Sequence, residues 1–255
     1  MTKNDLLRAS VERTQKDYYN SIADKYDRHF SNQFALAYRK ELYGDILADV
    51  DLNGMRVLDA ACGGGENSAF FAEHRCEIMG LDLSDAQCAI FRRRFPNSVV
   101  VNASMAATGL KSDSFDLVVT ESLHHVHPFV NDCVNEIHRI LKPGGYFLFW
   151  EPVSGSFFDL ARRLWYRHDP EFFEDNEASV DVAGLIESHK AQFKLIKLCY
   201  GGSLGHLFVS NSMAFRIPLS IVKYYAKPAL FLERNLNRVT GRRLALWALC
   251  LLQKA

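Results

Sequence analysis

Val57-Leu-Asp-Ala-Ala-Cys-Gly-Gly-Gly65 joins a short apolar run to three consecutive glycines, and its reading decides the fold. Met55 to Asp59 suits a buried parallel strand, and the glycines supply a tight turn where a ligand can approach the backbone without meeting a Cβ. A helix opening after Gly65 would offer unpaired backbone amides to an anionic group. Asp82 closes the next apolar segment, Glu77 to Asp82, 23 residues after Asp59. That is near the spacing of roughly 20 at which an acidic residue takes ribose hydroxyls in nucleotide-binding βαβ units.

The same unit recurs outward from this stretch. Ser84 opens a helix through about Phe95, Ser98 to Val101 is a third strand, and Phe115 to Thr120 a fourth. Val130 to Leu141 carries Val134, Ile137 and Leu141 on one helical face, and Tyr146 to Trp150 is a fifth strand after a Pro143-Gly-Gly turn. Alternation of this kind predicts a parallel, doubly wound α/β sheet with ligands at the carboxyl ends of its strands. Past Glu151 the pattern gives helices around Phe157 to Tyr166 and Val180 to His189, a sixth strand at Phe193 to Tyr200, and a last strand at Leu244 to Leu252. Ahead of the first strand, Asp5 to Val50 has the spacing of two or three helices. The expected organisation is an N-terminal helical cap (1–50), a core (51–200), an inserted lid (201–243) and a final core strand (244–255).

Thirty lysines and arginines balance thirty aspartates and glutamates, so no global charge points to nucleic acid, and none is expected as a partner. Six scattered cysteines form neither a C-x-x-C nor a metal-ligand cluster, which suits reduced thiols in a cytoplasmic protein without a metal. The N-terminus lacks the apolar core of a signal peptide, and Leu244 to Leu252 is less than half the roughly 20 residues a membrane span needs. Oligomeric state is open.

A dinucleotide reading fails at the glycine loop. With the middle glycine of G-x-G-x-x-G on Gly63, Ala61 stands first and Glu66 last, where a bulky carboxylate would repel a pyrophosphate. The stretch instead resembles the first motif of the class I S-adenosylmethionine-dependent methyltransferases, with Ala61 in place of the first glycine. The resemblance continues in order through Gly80-Leu-Asp-Leu-Ser84, Ser114-Phe-Asp-Leu-Val118, Glu121-Ser-Leu-His-His-Val126 and Glu136-Ile-His-Arg-Ile-Leu-Lys-Pro-Gly-Gly145. It covers about Tyr19 to Glu151 and is weak beyond.

The resemblance implies a Rossmann-like, mostly parallel seven-stranded sheet with N-terminal helices and a helical insertion between the last two strands. It implies S-adenosyl-L-methionine as methyl donor. The loop at Asp59, Ala61, Gly63 and Gly65 would hold the methionine part, Asp82 the ribose hydroxyls, and Leu83 would lie against adenine. Many relatives place an aspartate after the third strand to receive the adenine amino group, where this chain has Ser104, followed by Met105. Glu121 belongs to the same set, and Tyr26 resembles an aromatic residue that closes over the cofactor in ubiquinone and menaquinone C-methyltransferases. For Asp59 and Asp82, helix capping or turn formation is the structural alternative.

Histidine titrates near neutral pH and can take a hydroxyl proton during transfer to oxygen. His124 and His125 follow the fourth strand in a segment similar to sugar and small-molecule O-methyltransferases, where adjacent histidines act with a carboxylate beyond the fifth strand, here Glu151. Loop packing is the alternative for the histidines. The expected activity is methyl transfer to a small-molecule or lipid-like acceptor, at oxygen, with carbon methylation of a quinone or isoprenoid ring and a non-catalytic cofactor-binding module as alternatives. Gly201 to Arg243 carries seven basic residues against Glu233 alone, a net of +6, together with many aromatic and aliphatic side chains. Such a cap suits an apolar or anionic acceptor or peripheral contact with a membrane surface; an ordinary lid with a solvated basic face is the alternative.

Overall fold

Along the middle strands, consecutive side chains serve opposite faces of the sheet, as the two-residue repeat of a strand requires. Phe147 and Phe149 pack with Leu58, Val118 and Ile137 on one face. Leu148 and Trp150 pack with Val57, Leu117, Val119, Tyr43 and Phe71 on the other. Strands covered on both faces read as continuous apolar runs, which is why β-type stretches were visible without polar alternation.

The computed structural model describes residues 3–159, 162, 178–212 and 215–255. Its strands are β1 (Arg56–Ala60), β2 (Glu77–Asp82), β3 (Val99–Asn102), β4 (Phe115–Thr120), β5 (Leu141–Pro152), β6 (Phe193–Gly201) and β7 (Trp247–Lys254). They form one sheet in the order β3-β2-β1-β4-β5-β7-β6, with β7 antiparallel to both its neighbours and the other pairs parallel. This is the doubly wound, seven-stranded sheet expected from the sequence. Strand order reverses between β1 and β4, the switch point where an open α/β sheet leaves a crevice.

Helices α1 (Lys3–Phe30) and α2 (Gln33–Ile46) precede the sheet. Asn32 separates them, its side chain accepting from Phe34 N and Ala35 N as the N-cap of α2. Within the core, α3 (Glu66–Glu73), α4 (Asp85–Arg94) and α5 (Val130–Ile140) follow β1, β2 and β4, and α6 (Val182–Ser188) precedes β6. The insertion between β6 and β7 carries α7 (Leu219–Asn237).

Two boundaries differ from the sequence reading. β5 already begins at Leu141 and runs through Pro143-Gly144-Gly145, with a register shift against β4 between Phe115 and Leu117 that absorbs the irregular residues. β7 begins at Trp247, because Arg242–Leu244 form a single 3-10 turn that leaves Leu244 exposed. The helix expected over Phe157 to Tyr166 lies largely outside the described residues.

Candidate active site

The turn after β1 is built by backbone conformations that side chains resist. Ala61, Gly63 and Gly65 have φ of 60°, 51° and 95°. A Cβ on Gly65 would sit 2.3 Å from the Phe95 ring, so glycine is required there for space as well as conformation. Ala61 takes the left-handed conformation with its methyl in place.

Asp59 and Asp82 divide the work of shaping this turn. Asp59 is fully buried and accepts from Ser68 N (3.0 Å), Ser68 Oγ (2.7 Å) and Asn67 Nδ2 (3.2 Å), which ties the first turns of α3 to β1. Burial pushes its carboxyl up to about 7, against those hydrogen bonds. Asp82 accepts from Gly63 N (2.9 Å) and Ser84 N (2.8 Å), so one carboxylate fixes both the glycine loop and the start of α4. Burial raises it to about 6, opposed by these amides. Unlike Asp59, Asp82 faces a cleft.

That cleft encloses about 840 Å³ out to its open mouth, beyond the carboxyl ends of β1 and β2. Of the residues expected from the sequence, Tyr26, Ala61, Gly63, Asp82, Leu83, Ser104, Met105 and His125 line it. Asp59, Gly65, Glu121, His124 and Glu151 stand outside its lining. For Asp59 and Gly65 the geometry is that of loop construction. Glu121 is turned to α2, where Arg39 grips it through Nε (2.9 Å) and Nη2 (2.7 Å) and Tyr43 donates at 2.6 Å. A carboxylate so held serves the joint between α2 and β4.

Helix α1 roofs the cleft and brings residues that no local pattern singles out. Glu12 Oε1 lies 2.5 Å from Ser104 Oγ, Tyr19 Oη lies 3.0 Å from His125 Nε2, and Asn20 Oδ1 accepts from Ser84 Oγ (2.7 Å) and Ala86 N (3.1 Å). Farther along, Arg94 bridges Asp27 (2.6 Å) and Glu66 (3.3 Å), pinning α1 beside the glycine loop. The Glu66 side chain is thus committed near Gly63, and a Cβ there would meet its Oε2 at 3.2 Å. Tyr26 is held in its neutral form by burial, with Glu66 and Glu121 adding to the upward shift.

Gln87 is the other residue that sequence reading missed. It is 1% exposed and lines the cleft, yet neither its Oε1 nor its Nε2 has a partner among the described residues. A buried amide left unsatisfied costs about 1 to 3 kcal/mol, so its position fits a polar ligand that would complete it. Its only sequence signal was a polar residue on the inner face of α4.

Beyond β4, the 3-10 turn Leu123–His125 sets the histidines in place. Glu151, 1% exposed at the end of β5, accepts from Leu123 N (2.7 Å) and His124 N (3.2 Å), and its Oε2 shares a hydrogen bond of 2.7 Å with His124 Nδ1. Burial pushes its carboxyl up to about 8, while those N–H groups oppose the rise. The bond to Nδ1 fixes the orientation of the His124 ring. His125 lies against it, ring centroids 3.8 Å apart, and is the member of the pair that reaches the cleft. The arrangement sets a titratable ring beside a ligand cavity, backed by a second ring and a buried carboxyl.

Residues 58–149 match the family model described as methyltransferase domain. Over these residues, which run from β1 to β5, the chain is similar to that methyltransferase domain. Relatives of this domain include the malonyl-acyl-carrier-protein O-methyltransferase of Enterobacter lignolyticus, 36% identical over 110 residues that make up 43% of each chain. The phthiotriol/phenolphthiotriol dimycocerosates methyltransferase of Mycobacterium tuberculosis is 32% identical over 42% of this chain and 41% of its own. The fatty-acid O-methyltransferase of Mycolicibacterium smegmatis is 30% identical over 44% and 42%. The chain therefore spans about two fifths of the length of these relatives.

Likeness in fold extends much further than likeness in sequence. Magnesium protoporphyrin IX methyltransferase from Synechocystis PCC 6803, solved with S-adenosylhomocysteine, superposes with a TM-score of 0.65 over 96% of this chain and all of its own, at 12% identity. The cyclase SpnF superposes at 0.56 over 84% and 81%, at 18% identity. A shared architecture that includes a cyclase leaves the reaction to the site.

Proposed function

We propose that this chain transfers a methyl group from S-adenosyl-L-methionine to the oxygen of a small-molecule or lipid-like acceptor. The observation that carries the reading is one cleft bounded at one side by Asp82 and Gly63 and at another by His125. When bound, the cofactor would supply a methyl group activated on a sulfonium. Asp82 would accept the ribose hydroxyls, Ala61 and Gly63 would receive the methionine part, and Leu83, Ser104 and Met105 the adenine. Glu12 supplies, beside Ser104, the carboxylate absent from the loop after β3, and the unsatisfied amide of Gln87 completes the polar lining. Tyr26 closes the cleft from α1.

His125 takes the proton of a hydroxyl acceptor, steered by the hydroxyl of Tyr19, and the His124–Glu151 pair holds its ring in position. A carboxylate acceptor is already ionised and needs no base. For either, holding acceptor and donor in line can supply roughly 7 to 11 kcal/mol of the barrier. The relatives named for O-methylation support oxygen as the receiving atom.

Titration calorimetry with S-adenosylmethionine, S-adenosylhomocysteine and NAD tests the donor, and binding of NAD alone would end the proposal. Methyl-labelled donor offered with fatty acids, acyl thioester acids, lipid alcohols and quinols tests the acceptor. Labelled ester or ether product supports transfer to oxygen. Carbon methylation of the quinol, with His124→Ala and His125→Ala close to full turnover, would replace it with ring methylation. Tight donor binding with no transfer to any acceptor would leave a binding module.

A further inference from the structure

The insertion between β6 and β7 is seated by its single acid. Glu233 is fully buried and receives Tyr38 Oη (2.7 Å), Ser203 N (2.9 Å) and Gly205 N (3.1 Å), with Ser203 Oγ also donating to it. Val222 and Ala226 complete the inward face of α7 and pack with Val209. One apolar face of the helix is thereby used.

A second apolar face points outward. Ile221, Tyr224, Phe231 and Leu232 are 50%, 78%, 69% and 42% exposed, and the stripe continues past the helix end to Val239 at 82%. Their spacing of three, seven and one residues, with Pro228 between, keeps them on one side of a helix with 3.6 residues per turn. Cations flank this stripe: Lys223, Lys227 and Arg234 on α7, then Arg238, Arg242 and Arg243. Arg234 and Arg242 reach Glu41 and Asp181, while Lys227, Arg238 and Arg243 have no carboxylate partner among the described residues. With Glu233 buried, the exposed surface of the insertion carries no acid at all.

We infer that α7 and the segment to Arg243 dock on an anionic lipid surface, with Tyr224 and Phe231 entering the boundary between headgroups and acyl chains. A helix with exposed aromatic and aliphatic residues between lysines and arginines matches the chemistry of that boundary. Contiguous apolar exposure on a soluble surface marks an interaction site. A second copy of the chain fits poorly, since a two-fold contact through this stripe would bring like charges together from both partners. No described helix is long and apolar enough to cross a membrane, so the contact is peripheral. The inference is independent of methyl transfer.

Co-sedimentation of the full chain with phosphatidylcholine vesicles, with and without phosphatidylserine, tests it at low and high salt. The chain is expected in the pellet with phosphatidylserine vesicles at low salt and to be released by added salt. Tyr224→Ser with Phe231→Ser, and separately Lys223→Glu with Lys227→Glu, should each lower partitioning by about tenfold or more. All four side chains are exposed, so the melting temperature should stay that of the parent, and the circular dichroism melt verifies it. Absence from the pellet at low salt, or equal partitioning of parent and both variants, overturns the inference. So does concentration-dependent dimerisation in sedimentation velocity that the Tyr224/Phe231 variant abolishes, which would assign the stripe to a second copy.

Discussion

Asp82 sits where two demands meet: its carboxylate holds Gly63 N and Ser84 N, and it also faces the cleft. Ribose hydroxyls are better held by the ionised form, and burial raises the carboxyl to about 6. Affinity for S-adenosylhomocysteine should therefore climb as pH rises through 6 and level off above 7, read by calorimetry across that range. Asp82→Asn should weaken binding by roughly ten- to a hundredfold, the worth of a hydrogen bond to a charged group, and flatten the pH profile. Ala61 invites the opposite experiment. Its left-handed backbone costs an L-residue roughly 1 to 2 kcal/mol, and glycine would remove that strain while adding about 0.5 to 1 kcal/mol of chain entropy to be lost on folding. Ala61→Gly should leave urea stability unchanged or raise it by about 1 kcal/mol, and a clear loss would mean the methyl contributes packing that offsets its strain.

At the scale of elements, legibility followed distance along the chain. The strand, turn and helix around Asp59 to Gly65 could be read because apolar run, glycines and following helix are neighbours in sequence. The pairing of Glu12 with Ser104 spans 92 residues and that of Tyr19 with His125 spans 106, and nothing local announces either. Asp59 and Glu121 stand outside the cleft lining, and their partners could not be read for a related reason. An acidic residue at a strand end looks alike whether it meets a ligand or, as here, Ser68 and Asn67 or Arg39 and Tyr43. Charge counting likewise recorded Glu233 as one acid among seven bases, and only the packing of α7 removes it from the surface. Glu12→Ala isolates the contribution of α1 to the cleft. It should weaken S-adenosylhomocysteine binding by about tenfold, as expected for a charged hydrogen bond, and leave unchanged the affinity for an analogue lacking the 6-amino group. Equal losses for both ligands would mean that Glu12 acts on the seating of the helix.

Across the whole molecule, the buried titratable groups pull stability in opposite directions, and their windows can be separated. The Arg139 guanidinium, aided by Thr108, holds Glu136 down to about 2, so its contribution is present above the ordinary glutamate range and lost as pH falls through it. Burial lowers His29, His127 and His138, and His206 to about 4. Those rings are neutral in the fold and protonate in the unfolded chain below about 6.5, so they too cost stability on acidification. Asp59, at about 7, and Glu151, at about 8, act the other way. Each keeps its proton in the fold where the unfolded chain has lost it, so the folded state binds more protons and stability falls as pH rises. Between pH 4 and 6.5 the histidines oppose these carboxyls and Asp82, which burial raises to about 6. From 6.5 to 8 only the carboxyls remain in play, and unfolding free energy from urea titration should drop by about 2 kcal/mol. Glu151→Gln should remove the larger part of that drop, because its amide still packs beside His124 but no longer titrates. A fall no larger than the share of Asp59 would mean that the N–H groups of Leu123 and His124 hold Glu151 ionised throughout, outweighing its burial.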